Sequence, residues 1–208
     1  MTRYFTADYV ERATLRDGSV VRLRLVAPED RELLAHSFEN WSPESRYARF
    51  LAPKQALTAD ELTYLCDIDQ ETHFAIGAIL EGGGGAGIAR FIRLPFQLGE
   101  PVTAEAAIAV ADELQGKGLG KLLLLRLCAA AAERDIEQFR CELLADNHSM
   151  QALIAAIAPE HSTVTANGIL TIDFTIPEVA PDASAEAAPP PGPMYALLRA
   201  AADKLWRR

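Results

Sequence analysis

Cysteine is rare in this sequence, and signals for export or membrane insertion are missing. The 208 residues include only three cysteines, Cys66, Cys128 and Cys141, and none has the C-x-x-C spacing of zinc sites and redox pairs. Their odd number and wide separation argue against a disulfide framework and favour reduced, buried thiols. No signal-peptide core begins the chain, and no uncharged apolar run reaches the roughly 18 residues of a membrane span. We therefore expect a cytoplasmic protein that contacts no membrane and, without a histidine cluster, holds no metal.

Positive charge is also scarce. The chain has 20 lysines and arginines against 29 acidic residues, which gives a formal net charge of -9 and a pI near 5.0. Binding to nucleic acid depends on clustered lysine and arginine side chains against phosphates, so this balance argues against nucleic acid as the main partner. An acidic protein suits a cationic substrate that is attracted over long range.

The periodic patterns predict a mixed α/β domain. Alternating apolar residues indicate strands, and runs with acids or proline in the first turn indicate helices. The predicted elements are a hairpin over 13–26, helices over 27–41, 42–53 and 58–69, strands within 72–95 and over 101–110, a helix over 120–135, a strand over 137–147, a helix over 148–160 and a hairpin over 162–177. This order predicts one mixed sheet with helices around it and excludes a repeated βαβ barrel.

The composition changes abruptly after residue 177. Residues 178–193 contain alanine, proline and acids and nothing large to bury, which is typical of an extended linker. Residues 194–208 form a short amphipathic pattern, with Met194, Leu198, Ala201 and Leu205 on one stripe and a basic end. We expect a folded domain over 1–177, a linker, and a C-terminal helix that docks on the domain or on a partner.

A glycine-rich loop joins the strand over 101–110 to the following helix. Its sequence, QGKGLG over 115–120, lacks the GK[ST] ending of a P-loop and the spacing of the dinucleotide fingerprint. Glycines between a strand and a helix allow successive N–H groups to point in one direction, beside the positive end of the helix dipole. The loop is therefore either a cradle for a phosphate group or a turn that only permits tight packing.

The loop and its surroundings resemble the GCN5-related N-acetyltransferase (GNAT) family over roughly residues 19–177. The family signature is Gln/Arg-x-x-Gly-x-Gly/Ala, and Gln115, Gly118 and Gly120 match it. The resemblance implies a mixed, mostly antiparallel central sheet flanked by helices, and acetyl-CoA as co-substrate. It also implies the residues that bind acetyl-CoA: the backbone of Ile108, Ala109 and Val110 at the thioester and pantetheine arm, Gln115 with the amides of Gly116, Lys117, Gly118, Leu119, Gly120 and Lys121 at the pyrophosphate, and Asn147 at the cofactor arm.

A narrower resemblance lies upstream. The segment SPESRYARFLAPKQALTADELTYLCDID, residues 42–69, is similar to the catalytic domain of bacterial protein lysine acetyltransferases. This similarity implies a protein lysine ε-amine as acceptor and a catalytic glutamate at Glu105. Two alternatives stay open: an acetyltransferase for small-molecule amines, and a non-catalytic regulator that binds acyl-CoA.

The chemistry of acetyl transfer requires a base. A free lysine has a pKa near 10.4, so only on the order of one in a few thousand is neutral at pH 7. Because Glu105 lies among alanines in the strand, we expect its carboxylate to be partly desolvated and suited to accept a proton. The alternative is a strand-end acid exposed to water. Asp112 and Glu113 lie beside the phosphate cradle, and we expect them to be solvated or to cap a helix.

One position departs from the family pattern. Many members have a tyrosine seven residues after the asparagine, which protonates the departing thiolate, and here that position is Ile154. Protonation would fall to water, Ser149 or His148, or need no dedicated acid. In the implied fold the helix over 42–53 flanks the acceptor groove, so Arg46, Tyr47, Arg49 and Phe50 either contact the acceptor or form an ordinary charged helix face with Phe50 in the core.

Overall fold

One eight-stranded sheet runs through the protein in a computed structural model that describes residues 3–179. The strands are β1 (Val10–Thr14), β2 (Val20–Leu25), β3 (His73–Leu80), β4 (Gly85–Arg93), β5 (Thr103–Val110), β6 (Gln138–Leu144), β7 (Ser162–Ala166) and β8 (Ile169–Thr175). The helices are α1 (Arg31–Glu39), α2 (Pro43–Phe50), α3 (Ala59–Cys66), α4 (Leu119–Ala132) and α5 (His148–Ile157). Every element predicted between residues 13 and 177 is present, and the mixed sheet is confirmed.

The strand order is β1-β2-β3-β4-β5-β6-β8-β7, and within residues 3–179 all neighbours are antiparallel except β5 and β6. The parallel pairing is short. It joins Thr103–Glu105 to Gln138–Arg140 and no later residues, because β5 stays with β4 while β6 stays with β8. The two strands therefore separate beyond Glu105, and the backbone groups on that side of β5 have no strand partner.

Local sequence signals account for most element boundaries. Thr58 and Glu61 form the predicted capping box at the start of α3, with the Thr58 hydroxyl accepting from Glu61 N and the Glu61 carboxylate accepting from Thr58 N. The last hairpin turns at Asn167 and Gly168, both with positive φ, as the Asn-Gly pair predicts. Helix α2 ends at Phe50 rather than at Pro53, because Leu51 adopts a left-handed conformation with φ 53°.

The core has two parts, one on each face of the sheet. Helices α4 and α5 cover one face, where Phe74, Phe91, Phe139 and Phe174 form a row of contacting rings with centroids 5.2 to 5.9 Å apart. A smaller cluster with buried Cys66 lies on the other face, beside α1 and α3. All three cysteines are free and buried, as predicted, and burial raises the pKa of the Cys128 and Cys141 thiols to about 12.

Residues before β1, for which the sequence predicted no structure, also pack on the domain. Phe5 and Tyr9 are buried, and Arg134 donates to the Phe5 carbonyl at 3.0 Å. Glu11 of β1 accepts two hydrogen bonds from the buried guanidinium of Arg126 in α4, at 2.6 and 2.7 Å. This ion pair joins the sheet edge to the central helix.

The predicted C-terminal helix over 194–208 and most of the predicted linker over 178–193 lie outside the described residues. Within residues 3–179, no helix is long and apolar enough to cross a membrane.

Candidate active site

A cleft of about 880 Å³ opens where β5 and β6 separate. Its walls come from the end of β5, the glycine loop, the turn after β6, the start of α5 and one side of α2. The lining residues are Arg16, Trp41, Glu44, Ser45, Tyr47, Ala48, Arg49, Ile108, Ala109, Val110, Gln115, Gly116, Gly118, Gly120, Lys121, Leu144, Asp146, Asn147, Ser149, Met150 and Leu153. Nine of the twelve predicted site residues are among them; Glu105, Lys117 and Leu119 are not.

The glycine loop presents its backbone to this cleft. Gly116 has φ 73° and Gly118 has φ 97°, conformations that L side chains rarely adopt, and Gly118 is the N-cap of α4. The first N–H groups of α4 have no partner within the helix, and they carry the positive end of its dipole. The loop can therefore hold an anion, which is the chemistry predicted from its spacing.

Two members of the predicted loop set direct their side chains elsewhere. The Lys117 ammonium lies 2.8 Å from the Asp17 carboxylate, in the turn between β1 and β2. Leu119 is fully buried in the core. Any contribution of these two residues to an anion site comes from their backbone amides.

Gln115 and Asp112 hold α2 over the cleft. The Asp112 carboxylate accepts from the backbone N–H of Ser42, the N-cap of α2, at 2.7 Å, and also from the Ser45 hydroxyl. Gln115 Nε2 donates to the Val110 carbonyl at 3.3 Å and to Asp112 at 3.2 Å. Burial opposes ionisation of Asp112, but the hydrogen bonds from Ser45 and Ser42 outweigh it and lower its pKa. Asp112 was expected to be solvated or to cap a helix; its exposed carboxylate bonds to the first residues of α2, while the N-cap side chain of that helix is Ser42.

Asn147 combines a structural contact with a place in the cleft wall. Its Oδ1 accepts from the Met150 backbone N–H at 3.1 Å, so Asn147 caps the start of α5. Its Nδ2 donates no hydrogen bond to any residue between 3 and 179. The amide group is therefore fixed in place with donor capacity left over.

Glu105 is exposed, and the predicted partial desolvation of its carboxylate is wrong. Its register partners are Ile92 on β4 and Arg140 on β6, and the Arg140 guanidinium makes two 2.8 Å hydrogen bonds to Asp173. Because β5 and β6 separate immediately after this position, no strand covers the next stretch of β5, and water reaches the carboxylate.

Arg49 connects Glu105 to the cleft electrostatically. It is half-buried, lines the cleft, and makes no hydrogen bond or ion pair with the residues described between 3 and 179. Its guanidinium carbon lies 5.1 Å from the centre of the Phe50 ring. Burial lowers the pKa of Arg49, and the negative charge of Glu105 opposes that shift. The interpretation of α2 as a flank of the acceptor groove is therefore consistent with the structure.

The structure separates the candidates for protonating the thiolate. Ile154, at the position of the family tyrosine, is fully buried and packs in the core. Ser149 lines the cleft, whereas His148 does not. Ser149 and water are thus the available groups.

Arg16 is one of the cleft residues that the sequence did not predict, together with others such as Trp41, Asp146 and Met150. The Arg16 side chain lines the cleft, and its Nε would lie 3.6 Å from a Cβ built on Gly118. The β1–β2 turn and the glycine loop are far apart along the chain, and no motif connects them. Only the antiparallel position of β1 and β2 at the sheet edge brings Arg16 to the loop. Among the described residues no cluster of His, Cys, Asp and Glu is suited to a metal ion.

The parted parallel strands, the unpaired edge of β5 and the glycine loop at a helix N-terminus together form one cleft with free backbone groups and a place for an anion. The sequence pattern of the Acetyltransferase (GNAT) family matches residues 31–157, and the chain belongs to this family. The resemblance noted from the signature residues is thereby confirmed.

Individual relatives are found among bacterial acetyltransferases. The chain is 32% identical to the acetyltransferase Pat of Mycolicibacterium smegmatis over 142 residues, which are 67% of this chain and 41% of Pat. It is 30% identical to the acetyltransferase PA5475 of Pseudomonas aeruginosa over 147 residues, covering 69% of this chain and 77% of the relative. The chain thus spans about two fifths of the length of Pat.

Solved structures agree with the fold. The GNAT domain of S. lividans PAT superposes with a TM-score of 0.73 at 28% identity, over 82% of this chain and 99% of that domain. The yncA protein of Salmonella typhimurium, solved with its cofactor acetyl-CoA, shares the fold with a TM-score of 0.60 at 18% identity, over 78% of this chain and 98% of the other. The cleft, with its free strand edge and anion cradle, fits acetyl-CoA as the co-substrate.

Proposed function

We propose that this protein transfers the acetyl group of acetyl-CoA to the ε-amine of protein lysines, with Glu105 as general base. The main support for a protein acceptor is the open surface at Glu105. The carboxylate is exposed and lies outside the cleft walls, so an amine can approach it on a long side chain from another macromolecule. A small amine would be better served by an enclosed, acidic pocket.

The residues around the cleft suit acetyl-CoA in three places. The edge of β5 at Ile108 and Val110 faces the gap beside β6 and offers backbone groups to the pantetheine arm, while those of Ala109 face β4, and the loop over 115–121 offers amides for the pyrophosphate. Asn147 offers an amide beside the arm. Acetyl-CoA supplies the activated acetyl group, and this chain orients it and manages the protons. Every wall of the cleft comes from residues 16–153, so we propose that the domain over 1–177 contains the whole catalytic unit.

The reaction forms a nitrogen–carbon bond and breaks a carbon–sulfur bond. The acceptor ammonium must first lose a proton, and an ionised carboxylate is the group that can take it. Glu105 lies three residues before Ile108, about 10 Å along the strand, so the proton passes most simply through water. The attacking nitrogen loses its second proton as the carbon–sulfur bond breaks, and that proton reaches the departing thiolate through water or the Ser149 hydroxyl.

The test compares Glu105→Gln with Glu113→Gln. Glu113 is also exposed, follows β5, and does not line the cleft, so its substitution is a matched loss of one charge. We expect Glu105→Gln to leave the Kd for acetyl-CoA within about twofold and to lower kcat by about 10²- to 10⁴-fold. Glu113→Gln should retain both values. Unchanged turnover in Glu105→Gln would remove Glu105 from the mechanism.

The acceptor class is tested separately. Incubation of the protein with labelled acetyl-CoA and a cell lysate, followed by separation of proteins from small molecules, should place the label on lysines of proteins. Label confined to small molecules would contradict a protein acceptor. Binding of acetyl-CoA without transfer to either fraction would indicate a non-catalytic regulator.

A further inference from the structure

The turn between β1 and β2 packs directly on the glycine loop. The backbone N–H of Arg16 donates to the Lys117 carbonyl at 3.1 Å, and Asp17 pairs with the Lys117 ammonium at 2.8 Å. The side chain of Arg16 lies along Gly118, with its Cγ, Cδ and Nε 3.6 to 3.9 Å from the position of a Cβ there. These contacts hold Arg16 in the wall of the cleft, at its glycine-loop end.

The acidic group at this turn is engaged by Lys117 and not by Arg16. Hydrogen bonds from Lys117 and Ser19 lower the pKa of Asp17 to about 2, so it is fully ionised at neutral pH. The Arg16 guanidinium is exposed and forms no hydrogen bond or ion pair with residues 3–179. Lys121, also in the cleft wall, has no acidic partner in the same range.

Three sources of positive potential therefore lie together at this end of the cleft, and among residues 3–179 no carboxylate forms an ion pair with either of the two side chains involved, although Glu44 and Asp146 line the same cleft. The three sources are the N-terminus of α4, the Arg16 guanidinium and the Lys121 ammonium, all at the glycine-loop end of the cleft. Like charges that share a site repel one another, and a bound anion removes that repulsion. A guanidinium offers two parallel donors to a phosphate, which an isolated amide does not.

We propose that Arg16 binds a phosphate group of acetyl-CoA, from an element outside the glycine loop. The inference rests on acetyl-CoA as co-substrate and does not depend on the acceptor. Acetyl-CoA carries a pyrophosphate and a 3′-phosphate, and either group has the chemistry that Arg16 recognises. The hydrogen bond from the Arg16 N–H to the Lys117 carbonyl fixes the Arg16 backbone beside the loop before the ligand arrives, which reduces the entropy lost on binding.

The experiment measures Kd by isothermal titration with acetyl-CoA and with its 3′-dephospho analogue. The variants are Arg16→Ala, Arg16→Gln, Arg16→Lys and the control Arg12→Ala. Arg12 is also exposed, lies on β1, pairs with Glu81 at 2.8 Å and is not part of the cleft, so its loss changes the net charge equally. All titrations use one low ionic strength, because salt weakens exposed charge interactions.

We expect Arg16→Ala and Arg16→Gln to raise the Kd for acetyl-CoA about tenfold, Arg16→Lys less, and Arg12→Ala less than twofold. If the Arg16 variants bind acetyl-CoA more weakly but bind the 3′-dephospho analogue as the unsubstituted protein does, Arg16 contacts the 3′-phosphate. If their Kd rises equally for both ligands, Arg16 contacts the pyrophosphate. If Arg16→Gln, which keeps the stem, binds both ligands as Arg12→Ala does, the inference is wrong. If the unsubstituted protein binds neither ligand, acetyl-CoA is not its co-substrate, and the assumption on which the inference rests is wrong.

Discussion

Substitution of Gly118 by alanine tests whether the left-handed backbone of the glycine loop is needed for binding. Gly118 has φ 97° and ψ -8° and forms the N-cap of α4. An added Cβ would have its nearest contact at 3.6 Å, with Arg16, which is an ordinary van der Waals distance. The cost of the substitution is therefore in the backbone conformation and not in a steric clash.

The expected magnitude follows from that conformation. A residue with a Cβ in the left-handed region costs about 1–2 kcal/mol, which lowers Tm by roughly 2–8 °C for a protein of this size. If the loop relaxes to negative φ instead, its N–H groups turn away from the cleft. Each hydrogen bond lost to a charged phosphate costs about 1.5–3 kcal/mol, which raises the Kd for acetyl-CoA by about 10- to 150-fold.

The control is Gly84→Ala in the turn between β3 and β4. Gly84 has φ 87°, nothing within 4 Å of an added Cβ, and no part in the cleft. Thermal unfolding and isothermal titration of both variants should give similar losses in Tm, with weaker acetyl-CoA binding only for Gly118→Ala. If Gly118→Ala loses much less Tm than Gly84→Ala, which indicates that its loop has relaxed to negative φ, and still binds acetyl-CoA like the unsubstituted protein, the loop conformation is not what binds the ligand.

Three further outcomes are expected from urea unfolding. Asp112→Ala should lower the free energy of unfolding by about 1 kcal/mol at pH 7, because the Ser42 N–H and the Ser45 hydroxyl lose their acceptor, and by less at pH 3, because this depressed-pKa carboxylate stabilises only when ionised; an equal loss at both pH values would contradict the role of its charge. Burial and then the neighbouring Arg90 lower the pKa of His73 to about 4, so the unfolded chain binds a proton between about pH 4 and 6.5 that the folded chain does not. The free energy of unfolding should therefore decrease as the pH is lowered from about 6.5 to about 4, by at most about 1.4 kcal/mol per pH unit from this group. His73→Gln should reduce that slope; an unchanged slope would show that His73 is not its source. Glu11→Ala should cost about 3–5 kcal/mol, because the buried Arg126 loses this carboxylate, and a loss below about 1 kcal/mol would show that the pair is not what stabilises the sheet edge there.

The sequence was most informative where a structure depends on neighbouring residues. The capping box of Thr58 and Glu61 and the Asn167–Gly168 turn involve groups within three positions of one another, so their residue types are sufficient to predict them. The end of α2 was predicted less well. Proline at 53 indicated a stop, but the helix ends earlier because Leu51 takes a left-handed conformation that its type does not favour.

The site divides in the same way. The glycine loop was predicted because glycine spacing is a property of adjacent residues, whereas the partners of Asp112, Ser42 and Ser45, lie 70 and 67 positions away and were not predicted. The exposure of Glu105 was not predicted either, since it depends on where the pairing of β5 with β6 stops, and β6 lies on the far side of α4 in the chain. The neighbouring alanines suggested that the Glu105 carboxylate is partly desolvated, whereas the separation of β5 and β6 leaves it exposed to water.

The sequence by itself determined the elements, the family and the position of the glycine loop between a strand and a helix, because hydrophobic periodicity, caps and glycine spacing act over a few residues. Only the tertiary structure decided which side chains share the cleft. Arg16 reaches Gly118, Lys117 is diverted to Asp17, and Ile154 is buried in the core. These contacts depend on strand order and helix packing, which bring together residues that no short-range signal relates.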